Sequence, residues 1–343
     1  MGPESIILII LWSALTLYIL FGGADFGVGV WEVNTALQTT EKDRNLLYKA
    51  IGPVWEANHV WLIFFLVCTH AAFPRAYAAL GQALWVPLLI AIVGIVFRGA
   101  AYAFRSNLLG KSEQRKIWEV VFAVASTVAP FFLGAAAGAV ASGKLEFSDA
   151  GEYEGDILTG WISPLSIFTG FFTVGVCAFL SAVYLLRESV NQKHEDLVKV
   201  WRQRALVTGV IMGGLSLAGV AFLAFEPESF WTGFRERGLP LFGLGIATGM
   251  AALVALWYTR PLAATIAAAS TVSCVIWGWG VAQYPILLPP NLTIENCKTS
   301  DAVLWAMLWT IGIGLAIVVP SLWWLFAIFK GAGPDAAGKS AGY

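Results

Sequence analysis

Apolar stretches of the length of a membrane span recur along the whole chain and are separated by short polar segments. A helix of roughly 20 residues crosses the hydrocarbon core of a bilayer, so each stretch predicts one span. The stretches are 5–31, 54–73, 77–97, 118–141, 160–186, 206–225, 239–258, 262–284 and 303–329. The pattern therefore predicts an all-α integral membrane protein with about nine transmembrane helices.

The narrowest break between two stretches is the segment from Tyr258 to Pro261. Only Arg260 and the helix-breaking Pro261 separate the apolar runs on either side. If these runs formed one continuous helix, the count would fall to eight.

Composition agrees with a membrane protein and excludes some functions. Hydrophobic residues make up 58% of the 343 residues and charged residues 13%, which leaves too little polar surface for a water-soluble fold. Lys and Arg number 21 against 22 Asp and Glu, so there is no basic excess to attract nucleic acid. No CxxC motif is present and the chain has only three histidines, so no metal site and no haem site are predicted.

The distribution of basic residues predicts the orientation of the chain. Nine spans place the termini on opposite sides, and cytoplasmic segments of membrane proteins are enriched in Lys and Arg. With the N-terminus outside and the C-terminus in the cytoplasm, 16 of the 21 basic residues lie inside and 5 outside. We therefore expect one polytopic membrane domain over residues 1–330, followed by a mobile cytoplasmic tail over residues 331–343.

A few ionisable residues fall within or at the ends of predicted spans, where burial in lipid is costly. Asp25 lies in a glycine-rich segment towards the inner end of the first span. Glu56 and His59 lie at the inner end of the second span, and their spacing of three places them on one helix face. Arg98 ends the third span on the same side, and Arg105 follows two turns later.

In the predicted orientation, Asp25, Glu56, His59 and Arg98 converge near the cytoplasmic third of the first three helices. Titratable acids, a histidine and an arginine counter-charge are the components of a proton-uptake route. The alternative is purely structural, with Asp25 and Arg98 forming a buried salt bridge and Glu56 capping the second span.

Three ordered segments resemble subunit II of cytochrome bd-type quinol oxidases. They are residues 23–29 (GADFGVG), 52–63 (GPVWEANHVWLI) and 97–105 (FRGAAYAFR). The resemblance assigns a proton pathway to Asp25, Glu56 and Arg98, with His59 beside it. Trp55, Asn58 and Arg105 lie in the same segments and are assigned supporting positions. Many family members carry Asp where this chain has Glu56.

The resemblance also implies an architecture and partners. In the family, subunit II has two four-helix bundles plus a peripheral helix and carries no haem. Two b-type haems and a third haem, of d or b type, belong to the partner subunit I. The resemblance therefore implies a bacterial inner-membrane complex that oxidises quinol and reduces oxygen to water. It leaves open whether this chain binds a quinone or a lipid and whether the complex contains small accessory subunits.

Two other functions are compatible with some of these features. A proton-coupled secondary transporter also uses buried acids and an arginine, but it requires interrupted helices in both halves of the chain. A haem-bearing membrane cytochrome would need axial ligands on facing helices. His59 and His70 are both on the second span, so they make such ligation difficult.

Overall fold

The computed structural model describes residues 2–35, 55–107, 113–148, 151–223 and 228–331, and this part of the chain is almost entirely helical. Of the predicted tail over residues 331–343, Gly331 is the last residue of the final helix, and residues 332–343 and the segments between these ranges lie outside the described residues. The long helices are α1 (Pro3–Thr35), α2 (Trp55–Ala72), α4 (Trp85–Asn107), α5 (Glu113–Ala141), α6 (Pro164–Asn191), α7 (Glu195–Leu223), α9 (Leu239–Trp257), α10 (Pro261–Gln283) and α12 (Asp301–Gly331). The short helices are α3 (Pro74–Ala83), α8 (Glu228–Gly233), a π-helical turn (Phe234–Gly238) and α11 (Ile294–Cys297).

The predicted all-α membrane fold is confirmed. In the described ranges, eight helices are long and apolar enough to cross a membrane, and a ninth crossing is added if α2 and α3 count as one bent span. The break predicted around Arg260 is present, because α9 ends at Trp257 and α10 begins at Pro261.

The third predicted span has different bounds in the structure. Residues 74–83 were predicted to lie partly within it but form the separate helix α3, which is bent by 118° from α2. Pro74 begins this helix, since proline suits a first helical turn and cannot continue the preceding helix. The span itself is α4, which starts at Trp85 and runs on to Asn107. Arg98 therefore does not end the third span, as the sequence predicted, but lies inside it.

Two groups of helices share most of the contacts. Helices α6, α7, α9 and α10 form a closed ring, in which each helix packs on its two neighbours. In the other group, α1 packs against α2 and α5, and α4 packs against α5. Helix α1 also lies along α6 and so joins the two groups. The description as two four-helix bundles stays a prediction.

Helix α12 lies at the edge of the described structure. Among the long helices it makes extensive contact only with α1, and its apolar residues are largely exposed. A short antiparallel hairpin of β1 (Ile286–Leu288) and β2 (Leu292–Thr293) precedes it. Lys298 at its start lies 3.0 Å from Glu295, 3.6 Å from Asp301 and 3.9 Å from Glu4. The hydrogen bond to Glu295 raises the pKa of Lys298. The contact between Lys298 and Glu4 links the segment before α12 to the beginning of α1.

Candidate functional site

A buried ion pair joins α1 to α4. Arg98 Nη2 lies 2.6 Å from Asp25 Oδ1, and the two side chains are 2% and 6% exposed. Asp25 lies about ten residues before the end of α1, or roughly 15 Å along the axis. Arg98 lies at a similar distance from the end of α4. Arg98 therefore lies further inside its span than the sequence predicted, whereas Asp25 keeps its predicted place towards the end of the first span.

The Arg98 guanidinium is surrounded by hydrogen-bond acceptors and aromatic ring faces, which are groups that stabilise a cation. Nη2 also donates to the backbone carbonyl of Asp25 at 3.2 Å, and Nε donates to Ser126 Oγ on α5 at 3.1 Å. The guanidinium carbon lies 4.9 Å from the ring centre of Phe26 and 5.0 Å from that of Phe122. Arginine can make these contacts together because its planar fork donates in several directions and stacks on aromatic rings.

The Asp25 carboxylate is less completely satisfied than its partner. Oδ1 accepts the bond from Arg98, whereas Oδ2 is buried and has no hydrogen-bond partner in the described part of the chain. Buried polar atoms usually have a partner, and an exception requires an explanation such as a functional role or a bound water. Oδ2 is an oxygen that can accept a proton without breaking the bond to Arg98.

A second ion pair lies on the same two helices. Arg105 Nη1 lies 2.7 Å from Glu32 Oε2, and the side chains are 6% and 17% exposed. The guanidinium of Arg105 lies 3.8 Å from the ring centre of Phe122, the same ring that Arg98 contacts. Sequence reasoning placed Arg105 in a supporting role but missed Glu32, since the first span was predicted to end before it. The seven-residue spacing in both pairs was the signal that could have identified it.

The two ion pairs also define the direction of α1 and α4. Asp25 of α1 pairs with Arg98 of α4, and seven residues later on both helices Glu32 pairs with Arg105. The helices therefore run parallel, and the chain must cross back between them. This supports counting α2 as a crossing.

His59 on α2 faces α1 near the Asp25–Arg98 ion pair. Its ring centre lies 6.0 Å from that of Phe26 and 6.1 Å from that of Tyr18, both in edge-on contacts. Phe26 thus lies between His59 and Arg98. Tyr18 is buried, and its hydroxyl has no hydrogen-bond partner within the ranges that the structure describes.

The remaining predicted residues do not all join this cluster. Asn58 is buried, and its amide donates to the carbonyl of Phe21 at 3.4 Å, one helical turn before Asp25 on α1, so it contacts α1 but not the ion pair itself. Trp55 and Glu56 begin α2, and their side chains lie outside the described residues. The structure thus brings together Asp25 and Arg98, and His59 contacts the ring of Phe26, which also contacts Arg98.

The other histidine of α2 is far from this cluster. His70 follows His59 by three turns and packs against Tyr77 of α3, with ring centres 4.9 Å apart. Across the described ranges, no three side chains of His, Cys, Asp or Glu are grouped as a metal ion would require.

These features define a class of protein: a polytopic helical membrane protein with buried ion pairs between its spans. The chain belongs to the family of cytochrome bd terminal oxidase subunit II, whose model matches residues 3–329. It is therefore a subunit of a terminal oxidase, as the sequence segments indicated.

Named relatives agree with this assignment. The chain is 25% identical to cytochrome bd-I ubiquinol oxidase subunit 2 of Escherichia coli K12, with 92% of each chain covered. It is also 25% identical to cytochrome bd ubiquinol oxidase subunit 2 of Bacillus subtilis, covering 93% of this chain and 95% of the relative. The fold matches the structure of bd oxidase from Geobacillus thermodenitrificans with a TM-score of 0.76 at 23% identity. That match covers 97% of this chain and 100% of the other.

Proposed function

We propose that this chain is the haem-free subunit of its oxidase and that it carries protons from the cytoplasm towards the oxygen-reducing site of a haem-bearing partner. Reduction of oxygen to water consumes protons, so a membrane oxidase needs a route for them through an apolar region. The cytoplasmic direction follows from the distribution of basic residues, which is 15 inside to 5 outside when Arg98, which lies within α4, is not counted. Glu56, at the start of α2, is a second carboxylate of the proposed route.

The observation that carries this proposal is the geometry of Asp25. A carboxylate can relay a proton only if an oxygen is free to accept it and a counter-charge tolerates both protonation states. Oδ2 is buried without a partner in the described structure, and Arg98 holds Oδ1 at 2.6 Å. Arg98 also interacts with Ser126 and two aromatic rings, and these contacts do not require a charge on Asp25.

A purely structural ion pair is the competing interpretation. Burying two charges costs several kcal/mol per ion, and such a pair is favourable only when its remaining hydrogen-bonding groups are satisfied. The arginine meets this requirement, but Oδ2 of Asp25 does not. The asymmetry supports a role in which the carboxylate changes its protonation state.

The test is Asp25→Asn in the assembled oxidase, together with Glu56→Gln. Each change keeps the side chain's size and removes its titrating proton. We expect normal haem content and a fall in quinol oxidase turnover of about ten-fold or more for Asp25→Asn. The control is Glu188→Gln, because Glu188 accepts a hydrogen bond from Gln192 at the end of α6 and is far along the chain from the ion pairs.

The competing interpretation predicts the opposite order of effects. A structural pair that loses one charge leaves the other buried and uncompensated, so haem content and assembly would fall first. Full turnover in a normally assembled Asp25→Asn, Glu56→Gln double variant would rule out a relay through these acids.

The haem-free assignment has its own measurement. If the partner holds all the haems, the chain purified alone shows no Soret absorbance, whereas the complex does. Stoichiometric haem retained by the isolated chain would contradict the assignment.

A further inference from the structure

The second ion pair resembles the first in chemistry but not in exposure. Glu32 is 17% exposed and Asp25 only 6%, while both partner arginines are almost completely buried. Glu32 and Arg105 are the last residues of the candidate spans of α1 and α4. The Glu32–Arg105 pair therefore lies at the end of the candidate spans, and the Asp25–Arg98 pair lies two helical turns deeper.

The two ion pairs lie one above the other along α1 and α4 and form a column of charges. Seven residues of helix separate Asp25 from Glu32 and Arg98 from Arg105, which is roughly 10 Å of rise. Phe122 of α5 bridges them, because both guanidinium groups lie against its ring. Helices α1, α4 and α5 together build this column.

We infer that Glu32 is the entry carboxylate of the proton route, a role that rests on the function proposed above for Asp25. A proton from water at the cytoplasmic face binds the Glu32 carboxylate and then passes inward to Asp25 Oδ2, while Glu32 returns to its charged state. The roughly 10 Å between the two exceeds hydrogen-bond reach, so water molecules complete the transfer.

The groups that face Glu32 suit this role. Arg105 and Arg98 on α4 and Glu119 on α5 act on it electrostatically. Arg204 of α7 lies over the ring of Trp31, the residue before Glu32, with 5.1 Å between its guanidinium carbon and the ring centre. Arg105 contacts both Glu32 and Phe122, so it holds the carboxylate in place, and the Glu32 side chain is still 17% exposed.

The test compares Glu32→Gln with Asp25→Asn in the assembled oxidase. For Glu32→Gln we expect normal haem content and a fall in turnover of about five-fold or more, steeper at higher pH where bulk protons are scarcer. Small weak acids such as formate can reach an entry site and should restore turnover in Glu32→Gln. They should not restore it in Asp25→Asn, whose acid is almost completely buried.

Controls separate an entry role from a structural one. Glu32→Asp keeps a carboxylate and should retain most of the turnover, and Glu188→Gln should leave both turnover and its pH profile unchanged. If Glu32→Gln fails to assemble, the double variant Glu32→Gln, Arg105→Gln removes both charges and leaves no buried ion unpaired.

The results also separate this inference from the proposed function. Normal turnover and an unchanged pH profile in assembled Glu32→Gln, with Asp25→Asn impaired, would overturn the entry role alone. Normal turnover in Asp25→Asn would overturn the proposed relay. A turnover loss in Glu32→Gln that weak acids do not restore would also overturn the entry role.

Discussion

The Arg98 side chain shows how much a single residue can organise inside the membrane. Its guanidinium bonds the carboxylate and the carbonyl of Asp25 and the hydroxyl of Ser126, and it contacts two aromatic rings. Lysine has the same charge but presents it as a point, without a planar fork. The site therefore depends on the shape of the cation as well as on its charge.

This dependence predicts the effect of Arg98→Lys. The variant keeps a positive charge near Asp25 but loses the bond to Ser126 and the stacking on Phe26 and Phe122, so we expect a loss of about 1–3 kcal/mol of stability. Thermal denaturation of the purified oxidase, followed by the loss of haem absorbance, measures the difference. The control is Arg187→Lys, because Arg187 is only partly buried and makes no ion pair within the described residues.

At the scale of residues, Asp25 and Arg98 could be predicted because charges within apolar runs stand out in a sequence. Glu32 could not be selected in the same way. It lies next to the end of an apolar run, where charged residues are common. Its seven-residue spacing from Asp25 matches that between Arg98 and Arg105, but the contact with the buried Arg105 is what shows that it belongs to the same column.

At the scale of helices, Gly27 sets how closely α1 approaches α6. A Cβ atom at this position would overlap the backbone carbonyl of Cys177 and the side chain of Ser181. Small residues let membrane helices approach backbone to backbone, which increases packing between them. Asp25, two residues earlier, is positioned by the same approach.

Gly27→Ala should therefore push α1 away from α6. We expect a loss of about 1–3 kcal/mol, because inserting a methyl group into a close contact forces the backbone to move. Thermal denaturation of the complex and its haem content are the measurements. Gly213→Ala on α7 is the matched control, since a Cβ there would meet no atom within 4 Å. Equal stability of the two variants would contradict a close contact at Gly27.

Most of the helices were predictable as elements, because nearly every span is a long apolar run with polar ends. The α2 to α4 region was not predicted correctly. Residues 74–83 are rich in alanine and look apolar enough to extend a span, yet they form α3 and buried alanines of α3 pack into the core. Hydropathy records how apolar a segment is and contains no information on its direction.

At the scale of the whole molecule, the orientation remains a prediction. A reporter fused after Tyr343 should be active in the cytoplasm, and one fused before Met1 should be active outside, because 15 basic residues then lie inside and 5 outside, with Arg98 inside the span α4. Activity of the C-terminal reporter only in the periplasm would contradict the orientation. It would also reverse the direction of the proposed proton route.

The sequence by itself determined that this chain is a helical membrane protein of the bd oxidase family, and it selected three of the four charged residues that form the two ion pairs, all but Glu32. These conclusions depend on local composition and on short ordered motifs, which can be read without coordinates. The tertiary structure decided which charges pair, that α1 and α4 run parallel, and that Glu32 lies in line with Asp25. Those are relations between helices far apart in the chain, and they depend on packing contacts such as those of Gly27 and Phe122, which no single helix encodes.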